Sequence, residues 1–289
     1  MTQNNLLKMY GLEHLIGTKK VKLIRHQDTN RDIQFEKLKK NKTLLEEYQA
    51  VQSKDVFNCQ YVMSYLAIEN SNSLFMGMYE VLSCEHVENI VVSDSLIALG
   101  HPPSFTGYKY ELKEVNFLKD LNNRLVIDWG KGFRSWAQWL DAAKDKEVIE
   151  IRPQGYMDDF PGYEDVFLEF GELERIVQYP DANKVWHQKL SSVKGIYLIT
   201  DQMTGQQYVG SAYNKDGIIG RWKTYVENGM MVNKDIIALM ESRSPEYKYN
   251  FTFTILRTLS KALTDNEVIT VETSYKKRLG SKEFGLNCN

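Results

Sequence analysis

Two short tyrosine-containing segments constrain the fold of this chain more than any other feature. Residues 195–197 read Gly-Ile-Tyr and residues 208–210 read Tyr-Val-Gly, so Tyr208 follows Tyr197 by eleven positions. The intervening residues predict a strand, a polar turn around Gly205 and the start of a returning strand. Such a hairpin brings both tyrosines into one neighbourhood. An isolated pair of tyrosines in a sheet is usually a packing feature, so the residues downstream decide whether this pair has another role.

A helix is predicted shortly after the hairpin, over about residues 217–228, with Gly229 at its end. Arg221 and Tyr225 are four residues apart and share one face of that helix with Ile218. An arginine beside an apolar residue is commonly a surface side chain that extends to water. Next to the hairpin tyrosines, Arg221 is also suited to clamp a phosphate group.

Residues 251–256 alternate in character and predict a third strand. A capping box at residues 264–267 then predicts a helix that ends at Gly280. Glu272 lies in the middle of the apolar stripe of this helix. The stripe consists of Val268, Ile269, Val271, Tyr275 and Leu279. Burying an unpaired carboxylate costs several kcal/mol, so Glu272 is expected to meet a cation, either an arginine or a divalent metal ion.

The first half of the chain is rich in short strand-like segments. A strand is predicted near residues 21–24, and a charge-rich surface helix over residues 32–48. Six further β-branched or aromatic segments, separated by polar and Gly/Pro turns, predict a curved sheet or small barrel. They are residues 56–67, 74–82, 90–92, 108–112, 124–128 and 147–151.

Three of the five tryptophans lie close together in this region, namely Trp129, Trp136 and Trp139. One interpretation is a hydrophobic plug that closes the barrel. The other is an aromatic pocket that stacks a nucleobase, with Lys131 and Arg134 on phosphate groups. The stretch loosely resembles the PUA-like barrels that read modified bases. Both interpretations remain open on the sequence alone.

A domain boundary is expected near residue 180. Residues 164–179 have an amphipathic helical pattern that Pro180 ends, and residues 181–192 are the best candidate for a linker. The predicted division is therefore a β-rich domain at residues 1–180, that linker, and a second domain at residues 193–289. With 289 residues, of which 43% are apolar and 12% aromatic, the chain is large enough for two packed cores.

Charge, hydropathy and cysteine content narrow the class of protein. Residues 191–289 carry 13 Lys and Arg against 10 Asp and Glu, whereas the preceding residues have a net charge of -5. This small difference is weak support for a polyanionic partner. Without a run of about 18 uncharged apolar residues or a signal-peptide pattern, a cytoplasmic protein with no membrane contact is expected. Cys59, Cys84 and Cys288 are scattered, which indicates neither a disulfide framework nor a zinc site.

Taken together, the hairpin motifs and the residues downstream resemble the GIY-YIG nuclease superfamily. The elements that carry the resemblance occur in the family's order and approximate spacing, and they are residues 195–197, residues 208–210, Arg221, Glu272 and Asn287. The match covers about residues 193–289 and implies a three-stranded antiparallel sheet flanked by helices. With the mixed, β-rich and barrel-like first domain, this predicts an α+β chain.

The resemblance implies a metal-dependent DNA endonuclease that hydrolyses phosphodiester bonds with Mg²⁺ or Mn²⁺. It implies that Tyr197 and Tyr208 face the scissile phosphate, with Tyr197 assigned as the base that activates water. Arg221 would bind the phosphate oxygens, and Tyr225 would assist the proton transfer or the phosphate contact. A tyrosine with a pKa near 10 is a poor base at neutral pH, so nearby cations must help it.

The resemblance also implies that Glu272 binds the metal ion and that Asn287 holds the C-terminal tail near the site. Ser211 stands where some members of the family have a lysine. Lys215 or Lys223 would have to replace any role of that lysine.

Three functions follow from these features. The first is a restriction or defence nuclease whose first domain recognises DNA, because a small nuclease module contacts mainly phosphates and carries little sequence information. The second is a structure-specific DNA repair nuclease. The third is a non-catalytic nucleic-acid-binding module, against which Glu272 argues because a scaffold needs no buried carboxylate. One active site makes one cut, so cleavage of both strands would require a homodimer or rebinding.

Overall fold

The computed structural model describes residues 1–27, 35–131 and 135–287. The chain divides into two compact units, Met1–Arg152 and Pro153–Asn289. Within the described ranges, no helix is long and apolar enough to cross a membrane. Cys59 and Cys84 are free thiols, and Cys288 lies outside the described residues.

The first unit is built around one mixed sheet. Its helices are α1 (Gln3–Met9), α2 (Phe35–Lys40), α3 (Lys42–Ala50) and α4 (Asp94–Ile97). Its strands are β1 (Val21–His26), β2 (Val51–Gln52), β3 (Tyr61–Ala67), β4 (Asn72–Val91), β5 (Ser104–Glu114), β6 (Leu125–Asp128), β7 (Ala137–Trp139) and β8 (Glu147–Ile151). Among the described residues the sheet has eight strands and curls into a half-barrel.

Strand β4 is the centre of this sheet. Over its 20 residues it pairs antiparallel with β3, β5 and β6, while β1 pairs parallel with β3. The strand predicted at residues 74–82 and the first two residues of the one predicted at residues 90–92 are therefore parts of β4. The residues between them are exposed and largely polar, so the apolar pattern is interrupted although the pairing with β5 continues.

The helix predicted over residues 32–48 is two helices in its described part. Asn41 separates α2 from α3, and its side-chain oxygen accepts a hydrogen bond from the Leu44 amide at 3.0 Å. An asparagine that caps the start of a helix in this way ends the preceding helix. Residues 32–34 lie outside the described part of the chain.

The three clustered tryptophans differ in their environments. Trp129 is fully buried beside Tyr65, and its indole N–H donates to the Ser135 carbonyl at 3.1 Å. Trp136 and Trp139 are half-buried, and Trp139 lies on β7, a strand that was not expected from the sequence. The plug interpretation thus holds for Trp129. Arg134, the predicted phosphate ligand, lies outside the described residues.

The second unit is an antiparallel sheet packed between helices. Its helices are α5 (Phe170–Gln178), α6 (Lys184–Ser191), α7 (Gly217–Glu227), α8 (Lys234–Glu241) and α9 (Asp265–Leu279). Its strands are β9 (Phe167–Glu169), β10 (Lys194–Asp201), β11 (Gln207–Ala212) and β12 (Phe251–Leu259). The strand order is β11-β10-β12-β9, so the described sheet has four strands rather than the predicted three, and β11 lies at one edge.

Residues 164–192 differ from the prediction. Within the predicted helix, Phe167–Glu169 form β9, which pairs with β12, and the helix itself begins only at Phe170. The predicted linker contains α6, whose Trp186 and Leu190 are buried in the core of the second unit, which begins at Pro153. A three-residue strand is too short to give its own periodicity, so the helical pattern beside it dominates the sequence signal.

Close packing explains both glycines of the hairpin motifs. Gly210 is the cross-strand partner of Tyr197, and a Cβ at Gly210 would lie 2.4 Å from the Tyr197 ring and hydroxyl. A Cβ at Gly195 would lie 2.8 Å from the Ile218 side chain and 2.9 Å from the Arg257 carbonyl oxygen. These distances are far below van der Waals contact. The glycines therefore let the Tyr197 ring lie against β11 and let α7 pack closely on β10.

Gly210→Ala is expected to lower the free energy of unfolding of the second unit by about 3 kcal/mol, because the new methyl group overlaps the Tyr197 ring. Gly205→Ala is the matched control. Gly205 has a φ of 73° but open space around its Cα, so alanine there is expected to cost only about 1 kcal/mol. Urea unfolding of both variants measures the difference, and equal losses would contradict the packing argument.

Candidate active site

The hairpin holds its two tyrosines on one face of the sheet. In the register of β10 and β11, Tyr197 pairs with Gly210 and Ile199 pairs with Tyr208. Side chains two residues apart on a strand share a face, so the two phenols lie on the same side. Tyr197 is fully buried and Tyr208 is half-buried, so solvent reaches Tyr208 but not Tyr197.

Helix α7 packs on this face and brings Arg221 and Tyr225 to Tyr197. The hydroxyl oxygens of Tyr197 and Tyr225 are 3.1 Å apart, which is within hydrogen-bond distance. Nε of Arg221 donates to the Tyr197 hydroxyl at 3.3 Å, and the guanidinium lies 5.4 Å from the centre of the Tyr225 ring. We call these three side chains, Tyr197, Arg221 and Tyr225, the phenol–arginine cluster.

Both phenols of the cluster are neutral at pH 7. Burial raises the pKa of Tyr197, the nearby Tyr208 raises it further, and Arg221 opposes the shift without reversing it. Burial likewise raises the pKa of Tyr225 well above its usual value. The assignment of Tyr197 as the base stays a prediction, and burial makes ionisation of its phenol at neutral pH still less favourable. In the structure Tyr197 and Tyr225 are hydrogen-bonding partners.

Arg221 keeps its positive charge in this environment. Burial alone would lower its pKa, but Tyr197 and Tyr225 raise it, and the net pKa is above the usual value. Among the described residues no carboxylate pairs with Arg221, and its side-chain hydrogen bond there is the one from Nε to Tyr197. The two terminal nitrogens of the guanidinium therefore remain for an anion, and two parallel N–H groups match a phosphate.

Glu272 approaches the other face of the same edge strand. Ser211 follows Gly210 on β11, so its side chain points away from the face that carries Tyr208. The Ser211 hydroxyl donates to Oε2 of Glu272 on α9, and Nζ of Lys276 lies 2.6 Å from Oε1. The Glu272 side chain is 15% exposed. The carboxylate and the phenol–arginine cluster thus flank β11 on opposite sides.

Asn287 fastens the C-terminal tail to the edge of β11. Its side-chain amide accepts a hydrogen bond from the Val209 N–H at 2.7 Å and donates to the Val209 carbonyl at 2.9 Å. The Leu286 N–H also donates to the Gln207 carbonyl at 2.8 Å. An edge strand otherwise leaves such backbone groups unpaired. Asn287 therefore stabilises the strand that lies between the two halves of the site.

Glu272 is the metal ligand that the resemblance implies. Within the described ranges, no three His, Cys, Asp or Glu side chains come together in a group that could hold a metal ion. A single carboxylate suits Mg²⁺ or Mn²⁺ when water and substrate phosphate supply the other ligands. Both oxygens of Glu272 already have a partner, Ser211 on one and Lys276 on the other. The donor set therefore fits such an ion once one of these contacts is exchanged.

Lys276, which contacts Glu272, was not predicted from the sequence, because the prediction for α9 followed its apolar residues. Its signal in the sequence is the spacing, because a lysine four residues after a glutamate lies beside it on a helix. Two residues assigned to the buried stripe, Ile269 and Leu279, are instead 44% and 39% exposed. The cation expected near Glu272 is thus a lysine of the same helix and not an arginine.

The stability of the second unit is expected to fall above pH 10, in part because of Tyr197. Its folded pKa is raised above the ordinary value of 10.0, so the folded chain keeps a proton that the unfolded chain releases. This stabilisation is complete below pH 10 and is lost as the pH rises through the folded pKa. Tyr197→Phe removes this titrating group. Between pH 9 and pH 11 its free energy of unfolding should therefore fall by about 1.4 kcal/mol less than that of the wild type.

Urea unfolding at a series of pH values measures this difference. Tyr213→Phe is the matched control, because Tyr213 is exposed and lies outside the cluster. Tyr197→Phe and Tyr213→Phe should give different pH profiles, and identical profiles would contradict the burial argument.

A scan against protein-family models and a search of curated proteins found no match for this chain. Two solved structures are similar to part of it. A glutamate-to-alanine mutant of the catalytic domain of intron endonuclease I-TevI is 24% identical, with a TM-score of 0.27, over 34% of this chain and 94% of that one. The catalytic domain of homing endonuclease I-TevI is 26% identical, with a TM-score of 0.26, over 32% of this chain and 95% of that one.

Proposed function

We propose that the second unit is a DNA endonuclease that hydrolyses phosphodiester bonds, as the resemblance to GIY-YIG nucleases implies. The observation that carries the proposal is the phenol–arginine cluster. Its half-buried, charged Arg221 has no carboxylate partner among the described residues and is held in position by two neutral phenols. A partly desolvated guanidinium with a structural role is expected to have an acidic partner. In this proposal the phosphate of the substrate is that partner.

Arg221 would bind the non-bridging oxygens of the scissile phosphate through its terminal nitrogens. A phosphodiester repels nucleophiles because it is negatively charged, and further charge develops in the transition state, which a fixed guanidinium offsets. The hydrogen bonds of Tyr197 and Tyr225 keep the guanidinium oriented before substrate arrives. Such preorganisation means that little binding energy is spent on ordering the site.

Tyr208 takes the position at the water-accessible side of the cluster. Because solvent reaches this phenol, we propose that Tyr208, rather than Tyr197, accepts a hydrogen bond from the attacking water and orients it. The phenol orients the water without taking up its proton, and the nearby positive charge of Arg221 would stabilise the hydroxide that forms as that proton passes to solvent. Tyr197 is left with the structural task of holding Arg221.

Glu272 would hold a Mg²⁺ or Mn²⁺ ion on the other face of β11, with Ser211 orienting the carboxylate by its hydrogen bond. When bound, such an ion supplies electrostatic stabilisation of the phosphate charge. Because β11 is an edge strand, a DNA backbone that runs along it would meet Arg221 on one face and Glu272 on the other.

For the first unit we propose a role in DNA recognition, which would make the whole chain a restriction or defence nuclease. The support is a cavity of about 770 Å³ whose wall includes Trp139 and Lys131. Lysines and carboxylates are equally represented in this wall, which suits a nucleobase better than a run of phosphates. They are Lys22, Lys131, Lys144, Lys146, Asp128, Asp141, Asp145 and Glu147.

The full-length protein is expected to cleave DNA in Mg²⁺ or Mn²⁺, and Arg221→Ala is expected to slow cleavage by about 10²–10³-fold. Arg243→Ala is the matched control. Arg243 also lies over a tyrosine four residues later, 5.1 Å from the Tyr247 ring centre, but outside the cluster, so it should cleave at nearly the wild-type rate. Single-turnover cleavage of plasmid and genomic DNA, modified and unmodified, provides the measurement.

The products of this assay separate the alternatives. Linear rather than nicked plasmid would favour a homodimer or rebinding, since one site makes one cut. Cleavage confined to branched DNA would favour a repair nuclease. DNA binding without cleavage in any metal would contradict the enzyme and favour a non-catalytic module.

Trp139→Ala is expected to remove sequence preference in cleavage while non-specific DNA binding persists, because stacking is lost and phosphate contacts remain. Trp139→Phe keeps an aromatic face and should retain most of the preference. Sequencing the cleaved ends for the wild type and both variants measures the effect. If the unfolding of Trp139→Ala is unchanged and its cut sites match those of the wild type, the recognition role of Trp139 is wrong.

A further inference from the structure

The carboxylate of Glu272 is already neutralised by a cation of its own helix. Nζ of Lys276 lies 2.6 Å from Oε1 of Glu272, and the two side chains are only 16% and 15% exposed. The remaining oxygen accepts the hydrogen bond of Ser211. This pair is shielded from water far more than an ordinary surface pair on a helix, so its electrostatic attraction is less screened.

The geometry of α9 places Lys276 beside Glu272 without help from any other part of the chain. A glutamate followed by a lysine four residues later is the favourable orientation on a helix, and the capping box at Thr264 and the left-handed Gly280 fix both ends of α9. Lys277, the next residue, is exposed and lies about 140° around the helix from Glu272. Lys276 alone of these two neighbouring lysines is therefore the partner of the carboxylate.

We propose that Lys276 is the resident counter-ion of Glu272 and weakens the binding of a divalent metal ion there in the DNA-free protein. This inference rests on the proposed function, which makes Glu272 the metal ligand. A metal ion at Oε1 and the ammonium group compete for the same oxygen. The ion also meets the repulsion of a positive charge a few ångströms away. A metal ion therefore binds tightly only after the Lys276 ammonium has moved from Glu272 to another anion. A DNA phosphate at the edge of β11 would be such an anion.

Removing the positive charge should therefore tighten metal binding. Lys276→Met keeps the length and apolar stem of the side chain, and it is expected to lower the Kd for Mn²⁺ by about thirtyfold, the order expected when a unit positive charge about 4 Å from a divalent ion in water is removed. Lys276→Arg keeps the charge and should bind Mn²⁺ as weakly as the wild type. Lys277→Met, the matched control, should change the Kd by less than about twofold.

Titration of the full-length protein with Mn²⁺, followed by electron paramagnetic resonance of the free ion, measures these affinities without any cleavage. Glu272→Gln identifies the site, since the tight binding of Lys276→Met should vanish in the double variant Glu272→Gln, Lys276→Met. An unchanged Kd in a folded Lys276→Met protein would overturn the proposal. So would tight binding that survives the loss of Glu272, or tight binding by Lys276→Arg.

The same titration separates this proposal from the proposed function. If no variant cleaves DNA but Lys276→Met gains Mn²⁺ affinity through Glu272, the counter-ion role stands and the nuclease assignment fails. If the wild type cleaves and Lys276→Met shows no gain in Mn²⁺ affinity, the nuclease stands and the counter-ion role fails. Circular dichroism checks that each variant is folded.

Discussion

The contact between the Tyr197 ring and the backbone of Gly210 is the constraint on which the second unit depends. It requires a residue without Cβ on β11 and an aromatic ring directly opposite on β10. The contact fixes the register of the hairpin, because a slip of β11 by one residue would send Tyr208 to the other face and replace Gly210 opposite Tyr197. It also fixes the position of the Tyr197 hydroxyl, which is hydrogen-bonded to Arg221 and to Tyr225.

Burying these polar groups has an energetic cost that the surrounding core offsets. Trp222 packs edge-on against Tyr197 with ring centres 6.1 Å apart, and Phe253 packs edge-on against Tyr225 with ring centres 6.0 Å apart. Both Trp222 and Phe253 are fully buried. Such aromatic packing stabilises through burial of large apolar surfaces and through favourable ring geometry. The Tyr197 hydroxyl in turn accepts a hydrogen bond from Nε of Arg221, and the Tyr225 ring lies beside the guanidinium. The unit can therefore keep a charged arginine partly out of water without a carboxylate partner among the described residues, which is the state that suits an anionic ligand.

In the second unit, turns and helix caps could be predicted from the sequence because they depend on neighbouring residues. Strand pairing and burial could not, because they depend on residues far apart in the chain. The turn at Gly205 and the caps of α9 at Thr264 and Gly280 involve residues within a few positions of one another, and the structure has them where they were predicted. Strand β9 exists because β12 offers a partner more than 80 residues later, and no local pattern contains that information. Burial of Tyr197, which raises the pKa of its phenol, is likewise a tertiary property.

For Glu272, the sequence pattern predicted that the carboxylate meets a cation but did not identify that cation. Its position in an apolar stripe predicted a buried carboxylate in need of a cation, whereas the side chain is partly shielded, at 15% exposed. The choice between a protein cation and a metal ion could not be made from periodicity. The structure supplies a cation from the same helix turn, Lys276. Under the proposed function, this pair leaves the site electrically balanced before DNA binds, so a metal ion would add charge instead of cancelling it. A substrate phosphate would restore the balance, and binding of the ion and of DNA would then favour each other.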